Sequence, residues 1–527
     1  MGAFVVTVVP MAELKRLLRG DTELAFIDVR QEADYAAGQI YGSVSLPLPI
    51  LEDLAPELLP RRSVPILILD EQPGWAKQAA AILAGLGYAD IGLTAGGLAA
   101  WTEAGGELFV DVNVPSKAFG EWVATHKKTP LMPARELARR LRDGEDVAIL
   151  DARPFDEYKV MSIPGGVSAP GAELLARALA AARSEDTHIV VNCAGRTRSI
   201  IGAQSLINAG ITNPVSALEN GTIGWTLAEF DLASGASAVA ATPAPRLYAE
   251  ARAKAAALAE KTGVRTIGAE VLADMQSDPS RTTYGFDVRP PEEQIRDPRA
   301  GFKPAPGGQL VQALDEYVGG RNARIVLLDV DRVRAPMTAA WLRQLGERDV
   351  FLIAADEMRQ PPEQTSGEPE LAPPGLTAAE AKARLDAGAL AVDLTTSRFY
   401  GAGHIAGAWF LSRARLAEDI GRLPAAADIV LTSPYGRSAA AAVAGIGALL
   451  PEARIAPLAG GTRAWQAAGY GLASGPDPDH AASPFDSYKR PYMGTDNSRG
   501  AMQAYIDWEL QLVDQLVRDD IADFDLV

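Results

Sequence analysis

Short apolar runs recur along the chain at a fixed spacing, and each leads into a polar position. The first set is Phe26-Ile27-Asp28-Val29-Arg30, Ile149-Leu150-Asp151-Ala152-Arg153 and Gly285-Phe286-Asp287-Val288-Arg289, with a worn copy at Ala391-Val392-Asp393-Leu394-Thr395. A second set follows at Ile66–Leu69, Ile189–Val191, Ile325–Leu328 and Ile429–Leu431, leading to Asp70, Cys193, Asp329 and Thr432. The distance from the first Asp to that position is 42, 42, 42 and 39 residues, a register that marks four copies of one unit. Runs this short, rich in Ile, Val and Leu, read as strands buried on both faces. Between them lie helical patterns closed by glycine, such as Trp75–Gly87 and the alanine-rich Ser438–Gly447. Strands alternating with helices predict an α/β fold, a small parallel sheet flanked by helices in each of four tandem units.

A third marker follows in three copies. Gly96-Gly97-Leu98-Ala99-Ala100-Trp101, Gly221-Thr222-Ile223-Gly224-Trp225 and Gly460-Gly461-Thr462-Arg463-Ala464-Trp465 place a tryptophan 31, 32 and 33 residues beyond the second-set position. The third copy lacks it and looks truncated near Arg359. Residues 234–246 read as a Pro/Ala linker ahead of Leu247–Lys261, a stretch of strong helix propensity, and residues 359–375 as a second linker. The domains expected are 1–112, 125–235, 247–358 and 373–475. The tail, 476–527, ends in a predicted helix over Gly500–Arg518, with Tyr505, Trp508, Leu512 and Leu516 on one face. That helix is expected to pack back on the domains.

Candidate chemistry concentrates in residues 189–210. Cys193 is the sole cysteine of 527 residues, placed where a strand hands over to a helix N-terminus. Free N–H groups and the helix dipole favour an anion there. With Arg196 and Arg198 beside it, the thiol is expected to ionise more readily than a free cysteine. The loop Cys193, Ala194, Gly195, Arg196, Thr197, Arg198 and Ser199 is the candidate site, with Ser199 as helix cap or loop support. His188 begins the same strand about 16 Å away, so no Cys–His pair is expected. Asp151 and Arg153 recur in copies without cysteine and read as structural, Asp151 fixing a turn and Arg153 pairing an acid such as Glu157. Trp225 and His404 read as structural for the same reason.

Charge and composition narrow the classes. A net charge of −17 argues against nucleic acid or an anionic membrane as partner. One cysteine excludes an internal disulfide, and the four histidines show no ligand spacing, so neither a metal nor a cofactor is expected. With no leader pattern and no apolar run long enough to span a bilayer, a cytoplasmic protein is expected.

The Asp-x-Arg runs, the Gly-x-Ile-x-Gly segments (Gly38-Gln39-Ile40-Tyr41-Gly42 and Gly403-His404-Ile405-Ala406-Gly407), the Cys193–Arg198 loop and the Gly-Gly-x-x-x-Trp turns together resemble the rhodanese superfamily of sulfurtransferases. The resemblance runs to about residue 475 and is weak in the third copy. It implies four rhodanese-like domains, of which only the second keeps the catalytic cysteine. Asp70, Asp329 and Thr432 would stand in its place in the others. It further implies that Cys193 takes a sulfane sulfur as a persulfide cradled by residues 194–199, from a small anionic donor resembling thiosulfate. With no second thiol in the chain, the sulfur would leave to an external thiol, cyanide or a carrier protein. A homodimer is compatible with this reading. Two alternatives stand beside it. One is a non-catalytic scaffold or sulfur carrier, in which the fourth copy's Gly436-Arg437-Ser438 still holds an anion. The other is a cysteine phosphatase or arsenate reductase, for which the loop is one residue short.

Overall fold

The computed structural model describes residues 7–69, 71, 74–356 and 375–527. Asp70 lies outside these residues, as do the expected truncation near Arg359 and nearly all of the second linker. The four sets of apolar runs form four parallel sheets. In the second sheet the order across is Leu131–Met132, Val215–Leu218, His188–Asn192, Val147–Asp151 and Val167–Ser168. The first and third sheets repeat that order. The fourth has four strands, with a single parallel bridge, Leu376 to Leu458, in place of the outermost one. Among the described residues no helix is long and apolar enough to cross a membrane.

The chain divides into two compact units: residues 1–14, 24–110 and 362–488, and residues 15–23, 111–361 and 489–527. The first and fourth sheets therefore share one unit, and the second and third the other. A tandem string read from the sequence does not show this pairing.

In the second unit the two sheets share one core, with Phe119, Val191 and Leu206 continuous with Phe286, Ile325 and Trp341. The helix Pro245–Lys261 begins two residues before the expected Leu247 and adds Ala251, Ala255 and Leu258 to that core. Gly171 and Gly308 let the two halves touch, since a Cβ on Gly171 would lie 3.3 Å from the Gly308 Cα. The tail helix predicted over Gly500–Arg518 is two helices, Arg499–Glu509 and Leu512–Asp519. Met502, Tyr505 and Ile506 of the first pack on Ile223, so the tail does fold back.

The Asp-x-Arg motif is a buried pair closed on itself. Arg153 donates from its backbone N–H and Nε to Asp151 Oδ1, at 3.1 and 2.8 Å, and from Nη2 to Asp151 Oδ2 at 2.7 Å and to the Met161 carbonyl at 2.6 Å. Asp28 with Arg30 and Asp287 with Arg289 repeat it. Arg153 thus takes Asp151, not Glu157, as its acid. In the fourth copy Thr395 replaces the arginine, and burial together with the nearby Asp53 pushes the Asp393 pKa well above the ordinary carboxylate value. The repeated tryptophans are structural as well: Trp101, Trp225 and Trp465 each donate Nε1 to a carbonyl six residues on, at 2.9, 2.9 and 3.1 Å. His404 is buried and stacked on Tyr400.

Strand register moves one assignment. Asp151 pairs with Asn192, and Cys193 follows; Asp287 pairs with Leu328, and Asp329 follows. Asp393 pairs with Thr432, so the residue that follows, Ser433, is the counterpart of Cys193. Backbone contacts agree, because Thr222 donates to the Cys193 carbonyl and Thr462 to that of Ser433. The assignment of Thr432 came from spacing, and a loop shortened between the strands displaced it by one.

Candidate active site

Cys193 follows the central strand His188–Asn192 at the carboxyl end of the sheet, where parallel α/β folds open their crevices. Ile189, Val190 and Val191 anchor that strand between buried neighbours. The chain then makes a tight loop into the helix Thr197–Asn208, so Thr197 and Arg198 belong to its first turn. Behind the loop, Gly221 adopts φ +55°, and a Cβ there would lie 2.3 Å from the Cys193 carbonyl oxygen. Only glycine fits so close a backbone approach.

The thiol is 2% exposed. Its sulfur lies 3.5 Å from Ser199 Oγ, which itself donates to the Arg196 carbonyl at 2.8 Å. The Ser199 N–H also reaches the sulfur. Burial raises the thiol pKa; Arg198, the two Ser199 contacts and Arg153 oppose it without overcoming it. This reverses the expected ready ionisation. The physical cause is desolvation, and the two arginines beside the loop are already engaged. Arg196 donates Nε and Nη2 to Glu121 at 2.7 and 2.8 Å, and Nη1 to Asn220 at 2.8 Å. Arg198 donates Nη1 and Nη2 to Glu157 at 2.9 and 2.8 Å. Each positive charge is matched by a carboxylate before any guest arrives.

The other loop residues are held tightly. The Ala194 carbonyl accepts from the Ile223 N–H at 3.0 Å and from Thr222 Oγ1 at 3.2 Å. A Cβ on Gly195 would lie 3.1 Å from the Tyr505 ring. Thr197 Oγ1 donates to Glu509 Oε1 at 3.3 Å, and the Tyr505 hydroxyl to the same oxygen at 2.7 Å. A cavity of about 20 Å³ lies at Cys193, walled by Lys117, Arg196, Arg198, Gln312, Tyr492 and Tyr505. That is room for about one water molecule.

Several wall residues escape a reading of the loop alone. Lys117 and Glu121 sit on the helix Val114–Lys127, across residues that the expected domains left unassigned. Gln312 comes from the third repeat, and Tyr492, Tyr505 and Glu509 from the tail. Lys117 and Glu121, one helical turn apart, read in sequence as an ordinary surface pair. Asn192, which donates Nδ2 to Asp151 at 2.9 Å, ties the buried Asp-Arg pair to the residue before the thiol. Among the described residues no cluster of His, Cys, Asp and Glu is arranged to hold a metal.

In the third and fourth copies a carboxylate of the protein fills the same loop. Asp329 accepts the Arg332 N–H at 2.9 Å and the Ala335 N–H at 2.7 Å. These donors stand three and six residues on, as Arg196 and Ser199 stand from Cys193. In the fourth copy Asp53 accepts the N–H groups of Arg437 at 2.8 Å and Ser438 at 3.3 Å. The anion site expected at Gly436-Arg437-Ser438 is therefore taken by a carboxylate of the protein itself.

Comparison with known proteins places this architecture. The Rhodanese-like domain model matches residues 10–104, 133–228 and 377–468. The crystal structure of a thiosulfate sulfurtransferase from Pseudomonas aeruginosa is 43% identical, covering 99% of this chain and all of that one, with a TM-score of 0.88. A structure of a protein from Anabaena sp. is 30% identical, covering 20% of this chain and 93% of that one, with a TM-score of 0.19. An HTH-type transcriptional regulator of Mycobacterium tuberculosis is 35% identical over 101 residues, and the chain spans 43% of the length of that curated relative. The chain belongs to the rhodanese family.

Proposed function

From that membership we propose that the protein is a sulfurtransferase that carries a sulfane sulfur on Cys193, with thiosulfate or a similarly small anion as donor. The observation that carries the reading is the position of Cys193, whose sulfur lies 3.5 Å from Ser199 Oγ at the start of a helix. The full-length likeness to a thiosulfate sulfurtransferase supports it. Asp329 supports the persulfide step. A cysteine persulfide and an aspartate side chain both end in an acceptor atom one bond beyond the γ position. Asp329 holds its oxygens on the N–H groups three and six residues on. The same offsets from Cys193 supply the N–H groups of Arg196 and Ser199 for the outer sulfur.

In the first step the Cys193 thiolate attacks the outer sulfur of thiosulfate. The bond between the two thiosulfate sulfurs breaks, sulfite leaves with its electron pair, and Cys193 carries a persulfide anion. In the second step a thiolate or cyanide attacks the outer sulfur, and Cys193 departs as thiolate. The deep placement of the thiol suits a small acceptor. A phosphatase reading fits poorly, because both arginine forks are already engaged by Glu121 and Glu157.

Intact protein incubated separately with thiosulfate, mercaptopyruvate and glutathione persulfide should gain the mass of one sulfur at Cys193 from at least one of them. The Cys193→Ser variant should gain none. No gain from any donor would sink the assignment.

A further inference from the structure

Three cations wall the cavity beside Cys193, and they differ in what they have left to offer. The Arg196 and Arg198 side chains are committed to Glu121, Asn220 and Glu157. Lys117 makes one ion pair, Nζ to Asp111 Oδ2 at 2.8 Å. The rest of its ammonium faces aromatic rings, 5.1 Å from the centre of Tyr492, 5.4 Å from Tyr505 and 5.6 Å from Trp508. An ammonium has three N–H donors, so two remain uncommitted to oxygen. Lys117 is 1% exposed, and at such depth an uncommitted donor meeting an anion counts for far more than in water. Burial works against its charge, yet Tyr492, Asp111 and Glu509 raise its pKa, so it stays cationic.

We propose that Lys117, caged by Tyr492, Tyr505 and Trp508, is the specificity-determining cation of the Cys193 site and receives the sulfonate-like head of the sulfur donor. This rests on the sulfurtransferase reading above. The tail segment is then part of the site, since all three rings of the cage come from residues 492–508. A cavity of about 20 Å³ does not admit a molecule as large as thiosulfate. Tyr492 is half-buried on an irregular segment of the wall, and its ring must turn aside for the donor to reach Lys117 and the thiol. The donor's anionic oxygens then replace ring faces as partners of the ammonium, while its outer sulfur meets Cys193. The bond changes are those of the first step above: one S–S bond forms at Cys193, one breaks in the donor, and sulfite leaves with the pair.

The test compares two reagents on the intact chain, with modification of Cys193 followed by mass. Thiosulfate is anionic, whereas S-methyl methanethiosulfonate is uncharged and is attacked by the same thiolate, which takes the methylthio group as methanesulfinate leaves. For Lys117→Met the rate with thiosulfate should fall at least about tenfold, with the uncharged reagent within about twofold of wild type. An unchanged thiosulfate rate, or an equal fall with both reagents, overturns the proposal, the second because it marks a merely structural lysine. Lys117→Arg keeps a cation opposite Asp111 and serves if the methionine variant does not fold. Its planar fork does not fit the cage, so the KM for thiosulfate should change at least about threefold and the uncharged rate should not. An unchanged KM there also overturns the proposal. Failure of the underlying reading looks different: wild type gains no sulfur from thiosulfate while the uncharged reagent still modifies Cys193, and the proposal falls with it.

Discussion

Asp53 sets a carboxylate oxygen 2.8 Å from the backbone nitrogen of Arg437, so a side chain of the first repeat occupies the helix start of the fourth. Asp329 does the same within the third repeat. A loop that gathers backbone N–H groups at a helix end favours an acceptor, and in the third and fourth copies a carboxylate supplies it. Burial nonetheless raises the Asp329 pKa to about 7 and that of Asp53 above its ordinary value. In the second repeat the position holds a thiol whose pKa burial raises.

Asp53→Ala empties the fourth loop. The variant should lose about 1–3 kcal/mol of stability, because buried donors lose their acceptor. Sulfate should restore part of the loss, raising the Tm of the variant more than that of wild type at matched ionic strength against chloride. Equal responses of the two proteins would show that the loop binds no free anion.

The buried thiol predicts slow chemistry at neutral pH. Burial holds the Cys193 pKa above its ordinary value, so thiolate is scarce at pH 7. Alkylation by iodoacetamide should therefore rise about tenfold per pH unit between pH 7 and 9, without levelling. A plateau reached below pH 8 contradicts this.

Arg198 and Glu157 should act on that thiol with opposite signs. Arg198→Met removes the largest charge favouring the thiolate and should slow alkylation at pH 8 by about tenfold. Glu157→Gln leaves the arginine charge uncompensated and should speed it by about two- to fivefold. Both variants moving in one direction would mean that packing, not charge, sets the reactivity.

Glu509 carries a proton-linked cost. It is fully buried, facing Glu121 as well as Lys117, Arg196 and Tyr505; burial and Glu121 push its pKa from 4.5 up to about 7. Below pH 4.5 the folded and unfolded chains are both protonated and the group is neutral in effect. Between 4.5 and 7 the folded chain alone keeps the proton, so stability falls as pH rises through that window. Glu509→Gln should therefore be more stable than wild type at pH 8, by up to about 3 kcal/mol, with the gap closing toward pH 4.5. Denaturant melts at the two pH values measure this, and a gap independent of pH rules it out.

The repeat register, the alternation of strand and helix, and the one cysteine at a strand-to-helix turn were all legible as pattern. Buried parallel strands must be apolar on both faces, and each copy must return its strand to the same place. Asp151 with Arg153 was legible as structural for the same reason, though not which acid the arginine takes. Thr432 shows the limit of spacing, since an inter-strand loop shortened within one copy shifts the count while hydrogen-bond register does not.

The sequence by itself determined the α/β repeats, their order and the place of the one cysteine at a strand-to-helix turn, because these depend on local periodicity and on residue type. Only the tertiary structure decided that the first copy shares a unit with the fourth and the second with the third. It alone decided that Arg196 and Arg198 are already paired and that burial makes the thiol less acidic, not more. It brought Lys117, Gln312, Tyr492 and Tyr505 to the thiol from three separate stretches of chain. The physical reason is that charge and acidity at a site follow from distance and dielectric, and neither is written in the spacing of residues along the chain.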